Sequence, residues 1–233
     1  MNIFYTPELG NQKKFTLNES ESKHAIRVLR LKQGDGLTLV NGIGSFFDAT
    51  ITNDNPKKCE VEIIQVRKEI NNKPLLHIAI APTKNNDRTE WFIEKSTEIG
   101  IDQISPILCK HSERKRIKKE RFEKTAISAM KQSLKSTLPI VTDLTPFNKF
   151  IITPFDGAKY IAHCYGDNEK HFKSLYKTGE NSLILIGPEG DFSQEEVKLA
   201  IENGFKPITF GKSRLRTETA GVIACATFNL LNE

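Results

Sequence analysis

The chain changes character after Pro74, and this change most limits what it can fold into. Apolar runs of strand length then alternate with longer helical segments. Such an alternation is typical of an α/β domain, in which helices pack on a sheet. The pattern predicts strands at Leu75–Ala81, Ile104–Leu108, Ile140–Thr142, Tyr160–Cys164, Leu183–Ile186 and Ile208–Phe210, and helices at Arg88–Ile99, from Lys118 to Leu134, from Thr145-Pro146, from Ser193 to Gly204 and at Glu218–Leu231.

Residues 1–70 are instead rich in short β-type runs around a single helix. Asn18, with an acidic residue three positions later, predicts the start of this helix, which should run through Arg30 and stop before Gly34. Many short strands in so few residues predict a small barrel, and the polar stretch Lys68–Pro74 is then the linker to the second domain. The predicted strands are Leu37–Val40, Phe46–Ile51 and Cys59–Val66.

Length and composition exclude several classes of protein. A chain of 233 residues buries enough surface to need no disulfide or metal for a stable core. No apolar run approaches the roughly 20 residues that cross a bilayer. The N-terminal residues lack a charged region followed by an apolar one, so no secretory leader is indicated and a cytoplasmic location is expected.

The four cysteines do not form a metal-binding or redox pattern. They lie 50, 55 and 61 residues apart, which leaves no CxxC pair and no zinc or haem spacing. We therefore predict four buried thiols. They are Cys59, Cys109, Cys164 and Cys225.

Positive charge is concentrated in one segment. Residues 110–124 hold eight Lys or Arg and three Glu, which equals the net charge of +5 of the whole chain. Clustered charge on an otherwise balanced surface favours an anionic partner, nucleic acid above all. The alternative is a solvated helix start that has no partner.

Two loops carry the strongest functional signal. In the first, an apolar strand leads into Gly187-Pro-Glu-Gly190 and then into a capped helix, whose N-terminus favours a polar or anionic ligand. The second follows Phe210 and contains Gly211 before the polar run Arg216-Thr-Glu-Thr219. The first loop has neither the glycine pattern of dinucleotide-binding proteins nor that of P-loop proteins. Loops at strand ends of an open α/β sheet predict a ligand site.

At these residues the chain resembles the ribosomal RNA small subunit methyltransferase E family, a branch of the SPOUT methyltransferases that methylates N3 of a uridine in 16S rRNA. The resemblance covers nearly the whole chain. It lies in His24–Arg30 with Gly34-Asp35, Lys84, Arg88, Glu90-Trp91, Lys95–Gly100, Pro106, Gln132-Ser133, Pro139, Ile186–Gly190, Phe192-Ser193, Glu196, Gly211 and Leu215–Ala220.

This resemblance implies a PUA-like β-barrel for RNA binding at residues 1–70 and a SPOUT domain with a C-terminal trefoil knot at residues 71–233. It implies a homodimer that binds S-adenosylmethionine in the knot loops and acts on ribosomal RNA or the assembled small subunit. Neither a metal nor a membrane is expected to take part. The chain departs from the family pattern at Asp191, where a third glycine is usual, at Ser213-Arg214 and at Lys135.

Residue roles are carried over by the same resemblance and by the charge pattern. Arg216 and Glu218 are the candidate catalytic residues. The candidate cofactor-binding residues are Ile186, Gly187, Pro188, Glu189, Gly190, Phe210, Gly211, Leu215, Thr217, Thr219 and Ala220. The candidate RNA-binding residues are His24, Arg27, Arg30, Lys84, Arg88, Arg114, Lys115, Arg116, Lys118 and Lys119.

The chemistry of methyl transfer fits these residue types. Transfer from a sulfonium needs orientation and electrostatic stabilisation, not a metal or a covalent nucleophile. Arg216 is predicted to stabilise the negative charge that develops on uracil, and the alternative for Arg216 is a structural salt bridge to Glu218 or Glu189. Glu218 is the weaker candidate for a base, because a helix N-terminus stabilises its anion.

Two other functions remain open on the sequence. The first is an RNA-binding or ribosome-assembly factor that keeps the two-domain scaffold without turnover, which Asp191 would favour if it blocked the cofactor loop. The second is a phosphate-binding α/β enzyme, which is disfavoured because the Gly187–Gly190 loop has no lysine partner.

Overall fold

The computed structural model describes residues 3–69, 72–165 and 170–233. Their contacts divide the chain into two compact units, the first Met1–Asn72 with Met130–Leu138 and the second Lys73–Ala129 with Pro139–Glu233. The predicted division at residue 70 stays a prediction, to which the contacts add that Met130–Leu138 groups with the first unit. Ile70 and Asn71 of the predicted linker lie outside the described residues.

The first unit contains a five-stranded sheet. Strand β1 pairs in parallel with β3, and the other pairings are antiparallel. The two short strands β1 and β2 have no counterpart in the predicted set. In chain order the strands are β1 (Ile3–Tyr5), β2 (Lys14–Thr16), β3 (Gly36–Val40), β4 (Ser45–Asn53) and β5 (Glu60–Lys68), and the spatial order is β1-β3-β4-β5-β2.

Alternation of side chains along β4 shows why this sheet has one buried face. Phe47, Ala49 and Ile51 are buried, whereas the residues between them are partly exposed. Successive side chains of a strand point to opposite faces, so these three enter the apolar core together. Phe4 and Leu39 of the neighbouring strands belong to the same cluster and are fully buried.

The helical segment of this unit is shorter and less regular than the sequence predicts. Helix α1 covers Glu19–Lys23, and Asn18 caps it by accepting a hydrogen bond from the Glu21 amide at 2.9 Å. A π-helical turn follows at His24–Val28. Arg30 has a φ of +58° and is therefore no longer helical, so the predicted continuation to Arg30 is wrong.

The second unit is built on a sheet in which every pairing is parallel. The spatial order of six strands is β12-β10-β11-β6-β7-β8, and β9 pairs with β7. The strands are β6 (Leu76–Ile80), β7 (Gln103–Leu108), β8 (Ile140–Val141), β9 (Thr145–Pro146), β10 (Ala158–Ala162), β11 (Ser182–Ile186) and β12 (Lys206–Ile208).

Burial explains why β6 and β11 lie at the centre of this sheet. Every residue of both strands is buried. A continuous apolar strand needs cover on both faces, which helices of an α/β unit provide. The helices are α2 (Asn86–Ile99), α3 (Lys119–Gln132), α4 (Phe147–Phe150), α5 (Phe172–Leu175), α6 (Gln194–Glu202) and α7 (Thr217–Leu230).

Two short-range signals in the sequence position helices as expected. Ser193 and Glu196 form the predicted capping box of α6, each side chain bonding the other's backbone amide. Gly221 of α7 faces the fully buried ring of Phe92 in α2, and a Cβ there would lie 2.6 Å from that ring. The glycine therefore allows α2 and α7 to pack closely.

Three predictions along the second unit need correction. Thr145–Pro146 is a strand, so α4 begins at Phe147 with Pro146 as its N-cap. β10 ends at Ala162 and β12 at Ile208, both two residues earlier than predicted. Cys164 consequently lies in a loop and is exposed, whereas Cys59, Cys109 and Cys225 are buried as predicted.

The buried His77 of β6 begins a polar chain that passes through Ser105 of β7 to Thr142, the residue after β8. Its Nε2 lies 2.8 Å from the Ser105 hydroxyl, which accepts a hydrogen bond from the Thr142 hydroxyl at 2.9 Å. The Ser105 proton then points to His77, so the imidazole is the neutral acceptor. Burial lowers the pKa of His77 to about 4 from 6.5.

We expect this histidine to make the fold sensitive to acid. The unfolded chain binds a proton on His77 below pH 6.5 and the folded chain only near pH 4, so stability falls as pH falls through this window. Between pH 6.5 and 5 the loss is about 2 kcal/mol, at 1.36 kcal/mol per pH unit. Urea unfolding of His77→Gln should show a flatter pH dependence than wild type, whereas the exposed-site control His24→Gln should keep the wild-type slope.

Candidate functional site

Parallel pairing brings five loops to one edge of the second unit's sheet. The carboxyl ends of parallel strands lie at the same edge, which is where open α/β sheets bind ligands. Both loops singled out in the sequence are there, after β11 and β12. The five loops are residues 81–85, 109–118, 163–165, 187–193 and 209–216.

The loop after β11, residues Gly187–Phe192, is joined directly to the start of α7. The buried Thr217 hydroxyl donates a hydrogen bond to the Gly187 carbonyl at 3.0 Å. A Cβ at Gly187 would lie 3.0 Å from the Phe192 ring, which is fully buried beneath the loop. The glycine therefore lets the loop fold tightly over Phe192. We call Gly187–Phe192 the glycine loop.

The loop after β6 is bonded by two side chains from neighbouring loops: Glu189 of the glycine loop and Arg114 of the loop after β7. The Glu189 carboxylate accepts a hydrogen bond from the Lys84 amide at 2.9 Å. Arg114 donates from Nε to the Thr83 carbonyl at 3.0 Å and from Nη2 to the Lys84 carbonyl. The guanidinium of Arg114, a predicted RNA contact, therefore holds backbone in this structure.

His111 contacts the glycine loop from the loop after β7. Its Nδ1 lies 3.2 Å from the Gly190 carbonyl and 3.1 Å from the Asp191 carbonyl. Carbonyl oxygens only accept hydrogen bonds, so Nδ1 is the donor and carries the ring proton. No sequence motif marked His111, because its partners lie about 80 residues away.

Asp191 has the backbone geometry of a glycine but a fully engaged side chain. Its φ is +63°. One carboxylate oxygen accepts the Phe192 amide at 2.7 Å and the other accepts the Cys164 amide at 2.8 Å. The carboxylate of Asp191 is therefore turned towards backbone amides.

Lys110 and the first turn of α6 form a second contact between the same two loops. The Lys110 amide donates to Glu196 at 2.8 Å, and its ammonium lies 3.2 Å from Glu195. Hydrogen bonding to Ser193 and the charge of Lys110 lower the pKa of Glu195 to about 2. Lys110 is thereby engaged in the protein's own ion pair.

The loop after β12 presents an open surface around Gly211. Gly211 has a φ of +132°, and nothing lies within 4 Å of the position its Cβ would occupy. Residues 211–214 are exposed, whereas the ring of Phe210 packs against that of Phe172 in a tilted arrangement, at a centroid distance of 5.8 Å. Phe210 therefore anchors the start of the loop, and the backbone at Gly211 is accessible to a ligand.

Arg216 and Glu218 have opposite environments although they are two residues apart. Arg216 is exposed, and within the described part of the chain its side chain has no hydrogen bond or ion pair. Glu218 is buried, with the Arg88 guanidinium 3.7 Å away, and its Oε2 has no hydrogen-bond partner among the described residues. The alternative salt bridge from Arg216 to Glu218 or Glu189 is therefore not formed.

A cleft of about 410 Å³ opens beside Lys84. Its lining combines one acidic residue with four basic ones, of which Arg114 is fixed on backbone as described above. Lys118 is exposed outside this lining, and Lys119 pairs with Glu123 at 3.5 Å and Asp143 at 3.8 Å. The residues that line this basic cleft are Lys84, Glu113, Arg114, Lys115 and Arg116.

The remaining candidate RNA contacts lie in the first unit. His24 and Arg27 are exposed on the π-helical turn, and Arg30 is exposed just after it. Across the described residues, no group of three or more His, Cys, Asp or Glu could hold a metal ion. In the same part of the chain, no helix is long and apolar enough to cross a membrane.

Comparison with protein-family models matches both units. A model of the RNA methyltransferase domain covers residues 71–229, and a model of the RNA methyltransferase PUA domain covers residues 17–64. The ribosomal RNA small subunit methyltransferase E of Synechocystis is 30% identical over 99% of this chain and 78% of its own length. The chain belongs to the ribosomal RNA small subunit methyltransferase E family.

Solved structures of similar proteins agree with this membership. A probable rRNA-methyltransferase from Porphyromonas gingivalis is 43% identical with a TM-score of 0.92, and the match covers 100% of this chain and 98% of that one. The ribosomal RNA small subunit methyltransferase E of Neisseria gonorrhoeae, solved bound to S-adenosyl methionine, is 28% identical with a TM-score of 0.89. The latter match covers 100% of this chain and 98% of that one.

Proposed function

We propose that this chain uses S-adenosylmethionine to methylate N3 of a uridine in small-subunit (16S) ribosomal RNA. One observation carries the proposal: Arg216, exposed and unpaired within the described residues, follows the open surface of Gly211 in the same loop, at the edge where the Thr217 hydroxyl joins α7 to the glycine loop. An open surface with an available cation suits a ligand and a substrate that develops negative charge. The cytoplasmic location expected from the sequence is part of this proposal.

The residues present fit S-adenosylmethionine. The space at Gly211 is one that a Cβ would enter, so the backbone of this loop is open to a ligand. When bound, the group supplies a methyl carried on a sulfonium. The residues proposed to hold it are Ile186, Gly187, Pro188, Glu189, Gly190, Phe210, Gly211, Leu215, Thr217, Thr219 and Ala220. Of these, Glu189 and Thr217 act by fixing loop backbone.

Arg216 supplies the electrostatic part of the mechanism. The N3 proton of uracil is weakly acidic, so its removal leaves negative charge on N3 and the flanking carbonyl oxygens. A guanidinium stabilises such a charge by donating hydrogen bonds in a fixed plane. Because no carboxylate in the described residues occupies Arg216, its donors are available to the substrate.

Glu218 is the candidate acceptor for the N3 proton. Its Oε2 lacks a hydrogen-bond partner among the described residues, so a lone pair is available. Its other oxygen, Oε1, lies 3.7 Å from the Arg88 guanidinium. Arg88 is thus turned towards Glu218, and any contact with RNA would use its remaining donors.

Removing the Arg216 guanidinium tests catalysis directly. We expect Arg216→Ala to lower kcat by on the order of 10²–10³, as the loss of a transition-state donor does, with little change in S-adenosylmethionine affinity. Turnover is measured on small-subunit RNA and subunits, and affinity by calorimetry. Arg214→Ala, a variant at a neighbouring exposed arginine, is measured in parallel. Near-normal turnover of Arg216→Ala would assign the role to another group, Arg214 first.

The basic cleft is proposed to contact RNA phosphates through Lys84, Lys115 and Arg116. Lys115 and Arg116 are exposed and make no ion pair in the described residues, so their charges are available to a polyanion. Arg114 supports the cleft by holding the carbonyls of Thr83 and Lys84. His24, Arg27, Arg30 and Lys118 are proposed as additional RNA contacts, and Lys119 only when it is released from its ion pairs.

A salt titration distinguishes these contacts from a solvated charge run. The slope of log affinity against log salt changes by roughly 0.7–0.9 per phosphate contact. Lys115→Ala with Arg116→Ala should therefore weaken RNA binding and flatten the slope by about 1.5 units, with S-adenosylmethionine affinity unchanged. In the control pair, Lys177→Ala lies before β11 and Lys206→Ala is at the start of β12, at the end of the sheet away from the loop edge, so this pair should keep the wild-type slope.

The knot and the homodimer are part of the same proposal. After β12 at one side of the sheet, α7 returns to pack on β6, β11 and α2, which is the path that a knotted C-terminus requires. Trp91 of α2 and Ile223 and Leu230 of α7 remain exposed and apolar, which favours a partner on this face. Sedimentation should give twice the chain mass of 26.3 kDa, and a monomer with full activity would contradict the dimer.

An RNA-binding assembly factor without turnover is the second candidate. It was favoured by the possibility that Asp191 blocks the cofactor loop, but the Asp191 carboxylate is turned to the amides of Phe192 and Cys164. Calorimetry with S-adenosylmethionine separates the two functions. Micromolar binding together with methylation supports the enzyme, whereas RNA binding without cofactor binding supports the assembly factor.

A further inference from the structure

Asp191 stands at the junction of three elements of the loop edge. Strands β10 and β11 are neighbours, with Ala162 paired to Ile186, so the loops that follow them begin side by side. The carboxylate of Asp191 spans this gap, because it accepts the amide of Cys164 after β10 and the amide of Phe192 before α6. It is therefore bonded to backbone on both sides of the gap.

The backbone at Asp191 indicates that the side chain is there for these bonds. Only three non-glycine residues in the described part of the chain have positive φ, and Asp191 is one of them at +63°. Glycine adopts this conformation freely, whereas a residue with a Cβ is disfavoured in it. The two hydrogen bonds of the carboxylate offset that disadvantage.

His111 bonds the other side of the Asp191–Phe192 peptide group. Its Nδ1 donates to the carbonyls of Gly190 and Asp191, at 3.2 and 3.1 Å. The Asp191 carbonyl is thus fixed from the loop after β7, and the Phe192 amide is fixed by the carboxylate of Asp191. The two contacts together restrict the rotation of this peptide group.

We infer that Asp191 is a positioning residue, which holds the glycine loop in its ligand-binding conformation by bonding the Cys164 and Phe192 amides. The inference rests on the proposed use of S-adenosylmethionine and adds a residue of this chain to it. A loop already ordered in the bound conformation does not have to be ordered when the ligand binds. Loss of the carboxylate should therefore lower cofactor affinity and leave the chemical step intact.

Asp191→Gly is the decisive variant, because it removes both acceptors without introducing strain at positive φ. We expect the Kd and KM for S-adenosylmethionine to rise at least tenfold, with kcat at saturating cofactor within about twofold of wild type. Asp191→Asn keeps one acceptor oxygen but brings an NH₂ group to the second amide, so its Kd should be intermediate. Asp54→Gly, an exposed aspartate with no side-chain hydrogen bond in the described residues, should match wild type.

Hydrogen exchange gives a readout that needs no cofactor. The amides of Cys164 and Phe192 should exchange at least tenfold faster in Asp191→Gly, whereas the buried Ile184 of β11 should be unchanged. Unchanged exchange at both amides would overturn the inference, and so would a folded Asp191→Gly with wild-type cofactor affinity. A wild-type protein that does not bind S-adenosylmethionine would instead overturn the proposed function.

Discussion

Parallel pairing of the strands in the second unit is the constraint on which the candidate site depends. Because all these strands run the same way, every strand-to-helix loop leaves the sheet at one edge. The fully buried β6 and β11 lie at the centre of the sheet, so the loops that follow them begin from rigid strands. For this reason, residues as far apart in the sequence as Thr83 and Thr217 lie at the same edge of the sheet.

Several polar side chains at this edge form hydrogen bonds with the backbone of the loops. Thr217 bonds a carbonyl of the glycine loop, Glu189 bonds an amide of the loop after β6, and Arg114 bonds carbonyls there. Buried or half-buried loop backbone must find partners, and these side chains supply them. The groups left available, Arg216 with Lys115 and Arg116 of the basic cleft, are the ones that suit an anionic substrate.

Charge at the edge follows the same division. The basic segment 110–124 was read from the sequence as one patch, but its members act differently in the structure. Lys110 and Lys119 are held in ion pairs and Arg114 on backbone, whereas Lys115 and Arg116 face solvent. A count of positive charges therefore overstates the number available to RNA, because several are satisfied within the protein.

Local sequence signals determined the elements whose causes are local. The Ser193 and Glu196 capping box, the end of α2 at Gly100 and the buried run of β11 were all readable, because each depends on neighbouring residues or on hydrophobic pattern. Strand ends at Ala162 and Ile208 were misplaced, since they are set by pairing with other strands. The two loops after β11 and β12 were also predicted from their glycines and their positions at strand ends, and parallel pairing brings both to one edge of the sheet. Only the tertiary structure decided that His111 bonds the glycine loop, that Asp191 bonds the Cys164 amide and that Glu218 faces Arg88. These contacts join residues 27 to 130 positions apart in the sequence.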